Sequence, residues 1–365
     1  MKPFTYCMPA KLYFGENCIS KNSDVFGKFG KKAIILTGKA SAKKNGSLKD
    51  VTDALDKNKI AYTVFNKIEE NPSVETIVEA SKTAVAEKAD FIIGIGGGSP
   101  MDSSKAVSFL AANPDKGSDF LFEAKEASHL PIVLVPTTAG TGSEATQYAI
   151  LTNHVKKTKT GISKRTFADV AFLDGKYMLN LPLQITRNTA VDAFTHLIEA
   201  YLCNECGFLS DMLSETGMRY FKEIKSCLAK GEFTLEDREK LLLISTLAGM
   251  AIAQSQTSLP HAMGYYLTYF KHLSHGPSNA VFTKAFLDFV PEQDKVSKIM
   301  ELTGFKDSSD LDSFVKSIVP TVTATEEEIN YYTDEMMKVT GKLKTVNKPI
   351  TRDDMYKMFK QSLQK

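Results

Sequence analysis

Apolar and polar positions follow two different periods along this chain, and the change falls near its middle. In the first half, short apolar runs stand at residues 32–37 (KAIILT), 60–65 (IAYTVF), 90–95 (DFIIGI) and 131–136 (PIVLVP). Each is too short for a helix and is predicted to be a strand, DFIIGI a buried one. Between them, Asn45-Gly46-Ser47 opens a helical pattern to about residue 58, and Asn71-Pro72-Ser73 reads as a turn and N-cap before a helix to Ala89. Pro100 sits at a further helix start after a run of glycines. Such a β-α-β-α-β rhythm predicts a parallel sheet covered by helices on both faces.

From about residue 180, apolar positions recur at helical spacing in 187–202, 210–229, 236–255 and 261–271, and strand signals disappear. The expectation is an α/β domain over 1–180 followed by an all-helical domain over 181–365, divided near Leu181-Pro182. A chain of 365 residues is long enough for two such cores.

Composition removes several classes. A formal net charge of +2 gives no general attraction to nucleic acid or an anionic membrane. No run approaches the roughly 18 apolar residues that cross a bilayer, and the N-terminus lacks the apolar block of a signal peptide. Five cysteines, an odd number, do not read as a disulfide framework, so a cytoplasmic protein is expected. Cys203 and Cys206 form a single CxxC pair, which without a second pair reads as two incidental thiols.

Two loops carry candidate chemistry. Gly94-Ile95-Gly96-Gly97-Gly98-Ser99-Pro100-Met101-Asp102 leaves a strand and enters a helix. Glycines there let backbone N–H groups approach a pyrophosphate, and the helix presents its positive end to the same anion. A flexible turn is the plain alternative, but strand carboxyl ends are where open α/β sheets bind ligands. Pro136-Thr137-Thr138-Ala139-Gly140-Thr141-Gly142-Ser143-Glu144 leaves another strand end, rich in small hydroxyl donors. Two such loops at neighbouring ends are better explained by one shared ligand.

A metal site is the third candidate. Asp192 and His196 are four apart in a helical pattern, which puts both on one face one turn apart. His261 follows Pro260 at an apparent helix start, and His275 stands in Ser274-His275-Gly276-Pro277. One carboxylate and three imidazoles suit a divalent transition metal. His129, His154 and His272 receive no role. Each histidine alone would read as packed or surface, but the helical half holds four of only six.

Taken together, these segments resemble the iron-containing (group III) alcohol dehydrogenases. Residues 96–102 look like that family's GGGSxxD motif, residues 136–144 like its PTTxGTGSE motif, and Asp192, His196, His261 and His275 like its metal ligands, all in the family's order. The resemblance runs from KLYFG near the N-terminus to the C-terminal end of the helical half. It implies a dehydroquinate synthase-like plan: a dinucleotide-binding α/β domain, a helical metal domain and a cleft between them. It also implies hydride transfer between a nicotinamide dinucleotide and a small primary alcohol or aldehyde, with butanol-like and 1,3-propanediol-like substrates both plausible, Fe²⁺ as metal (Zn²⁺, Co²⁺ or Mn²⁺ being compatible) and a homodimer. Asn71, Gly97, Gly98, Ser99, Asp102, Thr137, Thr138, Thr146 and Lys159 carry over as cofactor contacts, with Lys159 in a hairpin near the nicotinamide ribose.

Two departures refine the expectation. Where many NAD-linked members place an Asp to accept from the adenosine ribose, this chain has Gly38, followed by Lys39, Ser41, Lys43 and Lys44. Gly38 leaves room for a 2′-phosphate that Ser41 and a Lys can bind, so NADP(H) is expected over NAD(H). Tyr265 stands where many members have a His. A phenol of reference pKa about 10 is a poor base near neutrality, so Tyr265 is expected to shape the pocket while the proton leaves through the cofactor ribose and water. Apolar residues near 261–270 suggest an apolar substrate pocket. Two rivals remain: a lyase of the dehydroquinate synthase type, disfavoured by the lack of Arg between 239 and 351 with only Lys271 and Lys284 nearby, and a non-catalytic dinucleotide sensor.

Overall fold

The computed structural model describes residues 3–124, 127–155 and 158–364. Strands β1 (Lys11–Phe14), β2 (Lys32–Thr37), β3 (Ala61–Phe65), β4 (Phe91–Gly96), β5 (Ile132–Pro136) and β8 (Val170–Leu173) form one sheet in the order β1-β8-β5-β4-β2-β3. Every pairing within it is parallel. β6 (Ile150–Asn153) and β7 (Thr158–Gly161) form a separate antiparallel hairpin, as expected around Lys159. The four apolar runs all become strands. β1 and β8 lack such a signal: KLYF and VAFL are only four residues each.

Side chains of the inner strands β2, β4, β5 and β8 are buried on both faces, which is why the runs at β2, β4 and β5 are continuously apolar. Edge strands β1 and β3 are half-buried or exposed along most of their length. Ala33, Ile35, Phe91, Ile93, Ile95, Val133 and Val135 join one core with Phe26, Val51 and Leu55. Ile34, Leu36 and Ile92 point the other way and pack with Ile77, Ala80, Val107 and Phe109, from helices Val74–Ala86 and Gly98–Ala111. At β5 and β8 the second face changes partner. Ile132, Leu134, Ala171 and Leu173 join the core of the helical half, with Phe194, Leu197, Phe221 and Ile244.

Helices Leu183–Leu202, Phe208–Lys230, Leu235–Ser255 and Leu259–Phe270 match the four periodic segments to within a few residues. Further helices follow, from His275–Ala280 to Arg352–Leu363. The first of these matters most for the site. A Cβ at Gly276 would run into the Asn188 carbonyl and stand 3.0 Å from Asp192 Cβ, so only glycine lets this short helix press against helix Leu183–Leu202. Among the described residues, no helix is long and apolar enough to cross a membrane, and all five cysteines are free.

Candidate active site

Sheet topology fixes where a ligand can enter. The chain goes from β2 outward to β3, then returns to place β4 on the other side of β2. Loops leaving β2 and β4 therefore diverge, and they open a crevice at the strands' carboxyl ends. Gly38 follows β2 and Gly97 follows β4, so the two sequence signals lie at this switch point. A cleft of about 640 Å³ runs from there to the helical half.

Of the expected cofactor contacts, Gly38, Ser41, Asn71, Gly97, Gly98, Ser99, Asp102, Thr138, Thr146 and Lys159 line this cleft. Thr137 does not: it is buried, and its backbone N–H donates to the Gly96 carbonyl at 2.8 Å. As the last step out of β5, it faces the protein while Thr138 turns to the cleft. The glycines have a second reason to be there. A Cβ on Gly97 would stand 2.8 Å from Thr138 Oγ1, and one on Gly98 would stand 2.6 Å from Thr141 Cγ2, so the two loops are packed on each other. Lys105 locks them from below. Its Nζ donates to the Ser143 carbonyl and hydroxyl, both at 2.8 Å, and to the Tyr148 carbonyl at 2.7 Å. Burial pulls this amine down to about 8, against the pull of Asp102 and Glu144. Asp102 itself accepts from Ser143 Oγ at 2.6 Å and from the Ile150 N–H at 2.9 Å, so its carboxylate is committed to organising the loop and hairpin. Asn71 has a left-handed backbone (φ 55) that Ser99 Oγ and Thr152 Oγ1 pin at 3.1 and 2.7 Å.

At the far end, helices Leu183–Leu202, Leu259–Phe270 and His275–Ala280 converge. Ligand atoms of Asp192, His261 and His275 all lie within 4.8 Å of one another. Asp192 Oδ1 stands 3.5 Å from His261 Nε2 and 3.8 Å from His275 Nε2. His196, the fourth expected ligand, falls outside this trio. Its ring stacks on His261 with centroids 4.2 Å apart. His196 Nδ1, His261 Nε2 and His275 Nδ1 are buried without a hydrogen-bond partner. Burying polar nitrogens unpaired costs free energy, so imidazoles gathered round a carboxylate fit a cation rather than a packed core.

Electrostatics agree. Burial pushes the Asp192 carboxyl up, yet the surrounding imidazoles outweigh it and hold the group below the usual carboxylate range. Burial lowers His196 to about 4 and brings His275 well below its ordinary value, so both are neutral near pH 7. Burial opposes charge on His261 as well, but Glu199 and Asp192 overcome it and push the ring up to about 9.

Glu199 is the residue that sequence reasoning missed. It is fully buried, and its Oε1 lies 2.5 Å from His261 Nδ1 while Oε2 accepts from the Ser258 N–H at 2.6 Å. The bond makes Nδ1 the donor and turns Nε2 towards Asp192, the arrangement in which a carboxylate orients a metal-binding imidazole. Its signal lay in the spacing: Asp192, His196 and Glu199 are at i, i+4 and i+7 on one helix face.

Tyr265 stacks on His275 with centroids 5.8 Å apart and lines the cleft. Burial raises its phenol above the ordinary value, and Asp102, Asp192 and Glu199 add to the effect. Lys159 is brought down to about 8 by burial, opposed by Asp192, Glu70 and Asp102. The expected apolar pocket near 261–270 is not found. Met263 and Leu267 turn into the core of the helical half, and His261 and Tyr265 alone from that segment line the cleft. Lys271 and Lys284 are also absent from the lining and pair with Glu328 and Asp288 at 2.5 Å each. Two other cations, Arg165 and Lys342, do line it.

A cleft joining a glycine-rich loop at a sheet switch point to a buried carboxylate–imidazole cluster fits an enzyme that holds a dinucleotide and a metal ion. Comparison with known proteins gives the family. A family model described as iron-containing alcohol dehydrogenase matches residues 9–175, and the Fe-containing alcohol dehydrogenase family's C-terminal model matches residues 186–363. The chain belongs to the iron-containing alcohol dehydrogenase family and is an enzyme of that class. It is 31% identical over 312 residues to a 1,3-propanediol dehydrogenase of Klebsiella pneumoniae, covering 82% of this chain and 79% of the relative. An NADPH-dependent butanol dehydrogenase of Clostridium saccharobutylicum is 27% identical over 324 residues, 86% of this chain and 82% of its own. An iron-containing alcohol dehydrogenase structure from Thermotoga maritima superposes with a TM-score of 0.92 at 34% identity, covering 99% of each chain. These matches do not favour the lyase reading.

Proposed function

We propose that this enzyme interconverts a small primary alcohol and its aldehyde, butanol-like or 1,3-propanediol-like, using NADP(H) in preference to NAD(H). Carrying this reading is the cluster of buried imidazole nitrogens without partners around Asp192, at the end of a cleft that begins at Gly97 and Gly98. Asp192, His261 and His275 would hold an iron ion, Zn²⁺ being compatible with the same donors, with His196 beside them as the third imidazole and fourth ligand. When bound, the metal polarises the carbonyl oxygen and the nicotinamide carries the hydride. Asp192 offsets part of the cationic charge, and Glu199 keeps the His261 ring oriented. Gly97, Gly98, Ser99 and Thr138 line the path for the pyrophosphate, and Lys159 lines the same cleft. Tyr265, its phenol raised by burial, stays protonated near neutrality and shapes the pocket rather than acting as base.

NADP(H) preference rests on Gly38 and Ser41, both in the lining, and on Lys39, Lys43 and Lys44, which make no ion pair among the described residues. We further propose domains of 1–180 and 181–365, a homodimer, and a cytoplasmic location consistent with five free cysteines. Oxidation of NADPH and of NADH by butyraldehyde, with and without Fe²⁺, tests the assignment. Metal-dependent turnover, faster with NADPH, is the expected result; turnover that survives metal removal would overturn it.

A further inference from the structure

One wall of the cleft is formed by Tyr148, Arg165, Ile252, Gln256, Thr257 and Lys342. Its chemistry is cationic. The Arg165 guanidinium lies 4.5 Å from the centroid of the Tyr148 ring, and the Tyr148 hydroxyl donates to the Ile252 carbonyl at 3.3 Å, so the ring is a fixed platform for the charge. Lys342 Nζ donates to the Thr257 carbonyl at 2.6 Å and to Thr257 Oγ1 at 2.8 Å. Both acceptors are neutral. Among the described residues, neither Arg165 nor Lys342 has a carboxylate within 4.0 Å, although most other contacts of that kind involve a Lys or Arg. Lys342 is buried enough for its amine to be lowered, with Glu199, Cys203 and Glu205 pulling the other way and Arg165 adding to the depression. Glu199 is already committed to His261 and Ser258, and Glu205 accepts from Gln256 Nε2 at 2.8 Å.

The backbone here is held in an uncommon shape. Gln256 has φ 104, a region that non-glycine residues rarely occupy, directly before Thr257. Such strain persists where the surroundings impose it, and it recurs at ligand sites. Lys342 grips Thr257, the residue that follows Gln256. The next residue, Ser258, donates to Glu199, which in turn orients His261. Lys342 is therefore tied through consecutive residues to the metal-binding face, on the same cleft.

We propose that Arg165 and Lys342 form an anion-binding subsite that holds the tail of the substrate, so that short aldehydes bearing a terminal carboxylate are favoured over neutral aldehydes of the same length. This rests on the reading above that small aldehydes are reduced at the Asp192–His261–His275 site. In the reaction the hydride goes from reduced nicotinamide to the carbonyl carbon and a proton to its oxygen, while the anionic tail is unchanged. Two unpaired cations then orient the molecule with its carbonyl towards the histidines.

The test compares kcat/KM of the metal-loaded enzyme for ω-oxo carboxylates of increasing length, glyoxylate, succinic semialdehyde and glutaric semialdehyde, with neutral aldehydes of equal length. The best anionic substrate is expected to exceed its neutral counterpart by about tenfold or more, chiefly through KM, and the preference should shrink as salt is raised. Arg165→Gln and Lys342→Met should each lower the anionic-to-neutral ratio by about tenfold, and Lys342→Arg should restore it. Arg165 is largely exposed, so its variant stays informative should Lys342→Met fail to fold. A ratio at or below one in the unaltered enzyme, or one that both substitutions leave unchanged while butyraldehyde is still reduced, would overturn the subsite. Failure to reduce any of these aldehydes would instead overturn the small-aldehyde reading beneath it.

Discussion

Glu199 and His261 are joined by a 2.5 Å contact between carboxylate and Nδ1 inside the protein, where both side chains are buried and only the His261 ring borders the cleft. Replacing Glu199 with Gln keeps the shape but allows the ring to turn over, because an amide can donate as well as accept. Metal affinity is expected to fall by about 10–100-fold, and further for Glu199→Ala. Competition titration against a chromophoric chelator measures this without relying on turnover, and undiminished affinity in both variants would remove Glu199 from the site.

Proton competition at the same ring gives a pH dependence. With His261 pushed up to about 9, metal capture near neutrality displaces a proton, whereas His196 and His275 are already neutral there. Affinity should therefore fall as pH drops from 9 to 6, by up to about tenfold per unit, with one proton released. Calorimetry in buffers of different ionisation enthalpy counts that proton. In Glu199→Gln the slope should flatten.

His261→Ala and His275→Ala should each abolish metal retention and turnover, while NADPH binding stays measurable by fluorescence. The glycine-lined end of the cleft is built from other elements, so loss of cofactor binding in these variants would mean the two ends are not independent.

Gly38 offers a test of cofactor choice. A Cβ there would meet Ile68's carbonyl at 3.5 Å and Ser41 Oγ at 3.8 Å, ordinary contacts, so the backbone at Gly38 has room for a side chain such as Asp. Its carboxylate would repel a 2′-phosphate and accept from a ribose hydroxyl. The NADPH-to-NADH ratio of kcat/KM is expected to drop by at least about tenfold, since like-charge juxtaposition costs several kcal/mol. An unchanged ratio would point the adenosine end elsewhere.

Gly276→Ala tests the packing that gathers the ligands. The added methyl collides with the Asn188 carbonyl on the helix that bears Asp192. Destabilisation of about 2 kcal/mol or more is expected in urea unfolding, together with weaker metal retention.

What the sequence determined by itself was everything carried by local period and local chemistry. Four apolar runs specified β2, β3, β4 and β5, and helical spacing specified the first four helices of the second half, because burial of a face imposes its period on the chain. The glycine-rich loop and the Asp192–His196 spacing were legible for the same reason: each is a short stretch whose geometry is fixed once its element is known. Edge strand β1 and the late strand β8 were not, since four-residue segments gain their stability from pairing rather than from pattern.

Only the tertiary structure decided what stands opposite what. Thr137 and Thr138 are neighbours in the chain, yet one is buried and the other lines the cleft. Met263 and Leu267 looked like pocket walls until the fold turned them inward, while Arg165 and Lys342, 177 positions apart by their numbers (342 − 165), became one wall. Glu199 was in plain view, but its partner His261 lies 62 positions away. Contacts across such separations depend on how helices cross and on which glycines let them approach, and no local period encodes that.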